Sequence, residues 1–161
     1  MLAAVLLAPG LGAQVEDALD ARSLLKDGGF ERRGGCPIDY NQQRLRSLSD
    51  WRQPTEGTPD HFAACSKLAG VPDNRFGSEP ALEGASYGGL VLFSRSKWRY
   101  REYLSTELIR DLAPGEWVCV SAWVSAAEQA GIVADGFGVL LSEAMPRGER
   151  DFALELAPQL V

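Results

Sequence analysis

Between Gly34 and Gly84 the chain is interrupted too often to hold a helix. Pro54, Gly57, Pro59, Gly70, Pro72 and Gly77 fall inside it, with Asp, Asn and Ser between them. Proline fixes φ and lacks an amide donor, so it stops helices and central strands alike. The span reads as a long irregular loop region. A loop of that length is uncommon unless it carries function or is tied down covalently.

After Gly84 the texture changes to short apolar runs. "ASYGGLVLFS" is apolar and aromatic, and "KWRYREYL" alternates Trp98 and Tyr100 with Arg99 and Arg101. In "EWVCVSAWVSA", Val118, Val120, Ala122 and Val124 share one face, and Trp117, Cys119, Ser121 and Trp123 the other. Neither face carries charge, which predicts a centrally buried strand with both tryptophans in the core. "GFGVLLSE" and "DFALELA" predict two more strands, the last with Phe152, Leu154 and Leu156 facing inward. "VEDALDARSLLK" reads as a short helix or as the lead-in to a first strand. Short strands separated by Gly/Pro turns predict an all-β sandwich or barrel.

The 161 residues suit one domain, and 45% hydrophobic with 24% charged residues is an ordinary globular balance. A net charge of −6 argues against a nucleic-acid surface, which needs clustered Lys and Arg. Locally, Arg95, Lys97, Arg99, Arg101 and Arg110 against Glu102 and Glu107 give +5 − 2 = +3. That stretch reads as a solvated strand face. The opening "MLAAVLLAPGLGAQ" is too short to span a bilayer. Residues 1–13 read as a signal-peptide-like segment cut before Gln14, although a basic n-region is missing. A single module, 14–161, then follows, exported to the periplasm, outer membrane or cell surface. No other segment of the sequence is long and apolar enough to cross a membrane.

Export permits disulfides. Of the three cysteines, Cys36 and Cys65 lie in loop-like sequence, and Cys119 lies in an apolar run that suits a buried free thiol. The expected pair is Cys36–Cys65, which would staple the long loop region. A zinc site is not indicated, with one histidine and no CxxC spacing. His61 lies in "GTPDHFAAC", and any Ser-His-Asp or Cys-His arrangement must use it. No G-x-S-x-G elbow and no Gly-rich phosphate loop occurs. A glycosidase needs two carboxylates across a cleft, and Glu102, Glu107 and Glu128 are available without any sign that they face one another. His61 therefore reads as a loop residue making structural hydrogen bonds, Pro59–Asp60 as a turn, and the chain as no enzyme. Trp51 and Trp98, with Tyr100 beside them, are the aromatics suited either to the core or to stacking on a sugar face.

The order of "GGFE", "GCP", "PTEGTPDHFAAC", "GVPDNRFG", "GASYGG", "YREYL", "PGEWVCVSAWVS" and "APQL" resembles a family. It is similar to the N-terminal module of Bacteroidetes-type envelope proteins, a module that often precedes an OmpA-type domain or a secretion-sorting tail. The resemblance covers about residues 24–158, and its most specific part runs from Thr55 to Gly77. It implies a jelly-roll β-sandwich, galactose-binding-like, with the long disulfide-pinned loop region as its signature. It implies a non-catalytic binding or structural role, directed at a glycan or a cell-envelope protein. The alternatives are a glycoside or ester hydrolase and a scaffolding or adhesion domain with no small ligand. Related sugar-binding jelly rolls hold a structural calcium near the first strand, which makes Asp27 and Glu31 candidate ligands. Two departures bear on this. The family continues past the "PQ" strand, so the module is expected to be incomplete at its C-terminus. His61 also stands where the family more often has an aromatic.

Overall fold

The computed structural model describes residues 2–5, 23–40, 45–95, 97, 99–131 and 136–160. Among them there is no helix. The strands are short and all antiparallel: β1 (Leu2–Val5), β2 (Trp51–Arg52), β3 (Asp60–Ala63), β4 (Asp73–Asn74), β5 (Gly77–Ser78), β6 (Ser86–Gly89), β7 (Ser105–Thr106) and β8 (Cys119–Ala122). They pair as β1–β8, β2–β7, β3–β6 and β4–β5. Single bridges join Leu25 to Leu108, Arg33 to Leu48, Tyr100 to Phe152 and Val139 to Leu160. Among the described residues the chain is mostly β, but "GFGVLLSE" and "DFALELA" contribute only the single bridges at Val139 and Phe152, and Leu156, expected inward, is exposed. The 1–13 signal-like segment lies outside the described residues except for Leu2–Val5, which form β1, and most of "VEDALDARSLLK" lies outside them too.

The β3–β6 ribbon organises the interior. Asp60 pairs with Gly89, His61 with Gly88, Phe62 with Tyr87 and Ala63 with Ser86. Paired residues share a face and the faces alternate along a strand. His61, Ala63, Gly88 and Ser86 therefore look one way. A Cβ on Gly88 would stand 3.0 Å from the Phe30 ring and 2.9 Å from Leu104, so this face meets the main core. Phe62 and Tyr87 look the other way and form an aromatic cluster, Phe62 to Tyr87 at 5.0 Å and Phe62 to Phe76 at 5.9 Å between ring centroids.

The main core is Phe30, Leu45, Leu48 and Trp51, with Leu25 and Leu104 packed against it. Phe30 stacks on Trp51 with centroids 4.7 Å apart. Phe30 is wholly buried although its φ is +62°, a left-handed conformation that costs a non-glycine residue on the order of 1 kcal/mol. Burying the ring returns about 2–3 kcal/mol, so packing wins. The conformation is locked by Asp27, whose carboxylate accepts the amides of Glu31 at 2.8 Å and Arg32 at 3.0 Å.

Two expectations need correction. The span 34–84 is not merely loop, because it contains β2 to β5 and three of the four main core residues. Irregular backbone is buried there because side chains supply the hydrogen bonds that a wide sheet would otherwise give. Gln53, for example, accepts the Leu45 amide at 2.6 Å and donates to the Gly57 carbonyl at 3.2 Å. "DHFA" is likewise a fully buried strand rather than a turn and a loop.

The second correction concerns "EWVCVSAWVSA". Trp117 is 72% exposed, Trp123 66% and Val124 63%. Among the described residues β8 pairs only with β1, and this two-stranded sheet is not sandwiched. A strand apolar on both faces is buried only where layers cover both faces. The pattern alone does not guarantee that condition, and it is not met here.

Candidate functional site

Two buried polar centres lie on and beside β3. The first is His61, 3% exposed, whose Nδ1 is 2.9 Å from the Ser47 hydroxyl, itself nearly buried. Burial, and after it the Arg33 guanidinium, pushes the ring down to about 4, against the opposing pull of Glu31, Asp27 and the Phe30 carbonyl. The imidazole is neutral at physiological pH. Its distance to Ser47 is that of a base and a nucleophile. Access and orientation are not. The cavity bounded by Pro37, Asp39, Leu45, Ser47, Pro59, Asp60 and His61 measures about 10 Å³. That is room for one water and not for an acyl or glycosyl group. Nε2 makes no hydrogen bond, whereas a triad histidine is steered by a carboxylate on its second nitrogen.

The second centre is Glu102, 3% exposed. It accepts the Val91 amide at 2.7 Å and the Thr58 hydroxyl at 3.3 Å, and is hydrogen-bonded to the Tyr100 hydroxyl. Tyr100 in turn accepts the Thr58 amide at 3.3 Å. Burial pushes Glu102 up to about 7, and the nearby Asp60 charge adds to the rise, while the Tyr100, Val91 and Thr58 hydrogen bonds oppose it. Three chain segments meet on this one carboxyl group. Sequence reasoning named Glu102 only as one of several carboxylates. Its burial depends on contacts 44 residues away and has no local signal.

The other candidate residues are placed as follows. Trp51 is 2% exposed, stacked on Phe30, with its indole N–H donating to the Asp27 carbonyl at 2.7 Å. It presents no face on which a sugar could stack. Trp98 lies outside the described residues. Tyr100 is half-buried, its hydroxyl is held by Glu102 and Thr58, and the Lys97 ammonium sits 5.2 Å from its ring centroid. Asp27 and Glu31 do share one turn. Their oxygens accept backbone amides, Asp27 from Glu31 and Arg32, and Glu31 from Ala85 at 2.7 Å. Among the described residues no group of three or more His, Cys, Asp or Glu is arranged to hold a metal.

The basic stretch is also committed. The Arg99 guanidinium lies over Phe152 at 4.7 Å and that of Arg101 over Phe93 at 5.3 Å; Lys97 pairs with Asp151 at 3.3 Å. Arg110 grips Glu116 through two hydrogen bonds, which hold the Glu116 carboxyl down at about 2.

Cys36 and Cys65 form a disulfide with Cα atoms 6.0 Å apart, and Cys119 is free and half-buried. The bond joins the 34–38 segment to the end of β3. Elsewhere an open groove of about 1010 Å³ is lined by Arg46, Ser49, Arg52, Gln53, Thr55 and Glu56, among others. No helix among the described residues is long and apolar enough to cross a membrane. Compared with family models, curated proteins and solved structures, the chain matches none.

Proposed function

We propose that the chain is a non-catalytic binding or structural module of an exported cell-envelope protein, of the jelly-roll, galactose-binding-like kind, with a glycan as its ligand class. The observation that carries the binding reading is the open groove along the 46–56 segment. Arg46, Ser49, Arg52, Thr55 and Glu56 offer donors and acceptors of both signs along it, which suits a polyhydroxylated ligand. Export is supported by the Cys36–Cys65 bond, because such bonds persist in oxidising compartments. The all-β texture and the motif order from Thr55 to Gly77 support the module type.

A hydrolase reading draws on one observation, the 2.9 Å approach of His61 to Ser47. The two readings separate in one experiment. The full chain is screened on a glycan array and against ester and glycoside substrates, and is treated with a fluorophosphonate. The module reading expects glycan retention, no turnover and no label on Ser47. Arg46→Ala and Arg52→Ala each weaken retention about tenfold, the value of a lost charge-assisted hydrogen bond. Labelled Ser47, or turnover lost in His61→Ala, would favour the hydrolase. No retention and no turnover would leave a structural or scaffolding role.

A further inference from the structure

We propose that Cys36 is a site of reversible thiol modification: a low-molecular-weight thiolate attacks Cys36 Sγ, and Cys65 leaves as a thiolate held by Arg33. Both cysteines are exposed, so an incoming thiol reaches either sulfur. The two sulfurs are not equivalent. Arg33 Nη1 lies 3.2 Å from Cys65 Sγ, and among the described residues no hydrogen bond reaches Cys36 Sγ. Exchange is fastest when the departing sulfur carries its negative charge most easily. A guanidinium in contact stabilises that charge on Cys65.

The surroundings favour the same direction. The Arg33 backbone is fixed by its bridge to Leu48 and by the flanking bonds from Gly34 N to Ser47 O at 3.0 Å and from Ser49 N to Arg32 O at 2.9 Å. Cys65 follows β3 and is flanked by bonds from Ala64 N to Ala85 O and from Ser66 N to Ala63 O, both 2.9 Å. The two backbones that carry the anion and its cation therefore hold their places when the bond opens. The 34–38 segment has room for an adduct: a Cβ on Gly35 would touch nothing within 4 Å, and Ile38 is 81% exposed.

The chemistry balances without an outside oxidant. The thiolate RS⁻ forms a bond to Cys36 Sγ, the Cys36–Cys65 bond breaks, and its electron pair stays on Cys65. A second RS⁻ attacking the R sulfur of the adduct gives RSSR and a Cys36 thiolate, while return attack by Cys65 closes the original bond and releases RS⁻. This proposal does not depend on the glycan reading.

The test uses the full chain carrying Cys119→Ser, with its disulfide intact, and reduced glutathione as the probe. After brief exposure the reaction is stopped with acid, free thiols are alkylated, and peptides are mapped by mass. The expected result is glutathione on Cys36 and the alkyl group on Cys65, in about tenfold excess over the reverse. Arg33→Gln brings the ratio towards one, and Arg33→Lys keeps the excess. Glutathione mainly on Cys65, equal labelling in the unsubstituted Arg33 chain, or no adduct where the urea-unfolded chain reacts, would each overturn the proposal. The ratio with Arg33 in place decides the matter even if Arg33→Gln fails to fold.

Discussion

His61 and Glu102 sit within one interior and are displaced in opposite directions. His61 falls from 6.5 to about 4, so its neutral ring suits the fold; the stability it contributes is whole above 6.5 and is lost as pH falls to about 4. Glu102 rises from 4.5 to about 7, so its protonated form suits the fold; its contribution is whole below 4.5 and is lost as pH rises to about 7. Each slope is about 1.4 kcal/mol per pH unit, and between 4.5 and 6.5 they cancel. Unfolding by urea at stepped pH is expected to show a nearly flat stability over that window from these two groups. Glu102→Gln unmasks a rise of about 1.4 kcal/mol per unit from pH 4 to 6.5, and His61→Gln unmasks a fall of similar size from pH 4.5 to 7. Matching slopes in both variants would refute the assignment. At this scale the sequence was partly legible. A lone histidine beside Pro59 reads as a hydrogen-bonding loop residue; it does bond Ser47, but from the buried strand β3. Trp51 reads from sequence as either core or platform, because a single aromatic among polar neighbours carries no periodicity. Its burial is decided by Phe30, 21 positions earlier, taking a left-handed turn.

The β3–β6 ribbon is the element on which the interior rests, and its glycines explain how. At Gly88 the absent side chain lets Phe30 and Leu104 close onto the ribbon. Gly88→Ala is expected to cost about 1–3 kcal/mol, the usual penalty for overpacking a filled core, with retained strand signal in far-ultraviolet circular dichroism and a lower urea midpoint. A neutral effect would mean that the ribbon does not pack on the Phe30 face. Gly84, at φ +68°, turns the chain into β6, where a Cβ would collide with the Glu31 carboxylate that accepts the Ala85 amide. Turn chemistry of this kind is readable in "LEGAS" as a breaker. The strand "DHFA" was not, since its buried Asp60 and His61 break the apolar pattern by which short strands are recognised. "ASYGGLVLFS" reads as a strand and yields β6 only over Ser86–Gly89, where small residues and one aromatic fit between Phe30 and Phe62.

The whole molecule divides unevenly between its interior and its apolar surface. The buried hydrophobic residues run from Leu24 to Ala69, while Trp117, Trp123, Val124, Met145, Leu156 and Leu160 are exposed. The Cys36–Cys65 bond, with a separation of 29 residues, lies within the buried half, and constraining a loop of that size is worth about 3–4 kcal/mol in the chain-entropy account. Its pairing was legible because the cysteines sit in breaker-rich sequence and the third does not. The exposure of β8 was not legible. Alternation reports which residues share a face, and only the neighbouring layers decide whether that face is covered. Tryptophan fluorescence separates the two cases in a Trp98→Phe background, which leaves Trp51, Trp117 and Trp123. Acrylamide is expected to quench most of the emission, because two of those three rings are open to solvent. Replacing Trp117 and Trp123 by Phe should remove the red-edge, quenchable part and leave the blue-shifted emission of Trp51, shielded against Phe30. If the three-tryptophan protein already emits blue and resists quenching, then β8 is covered in solution, and the two-stranded sheet is not the whole of the layer to which it belongs.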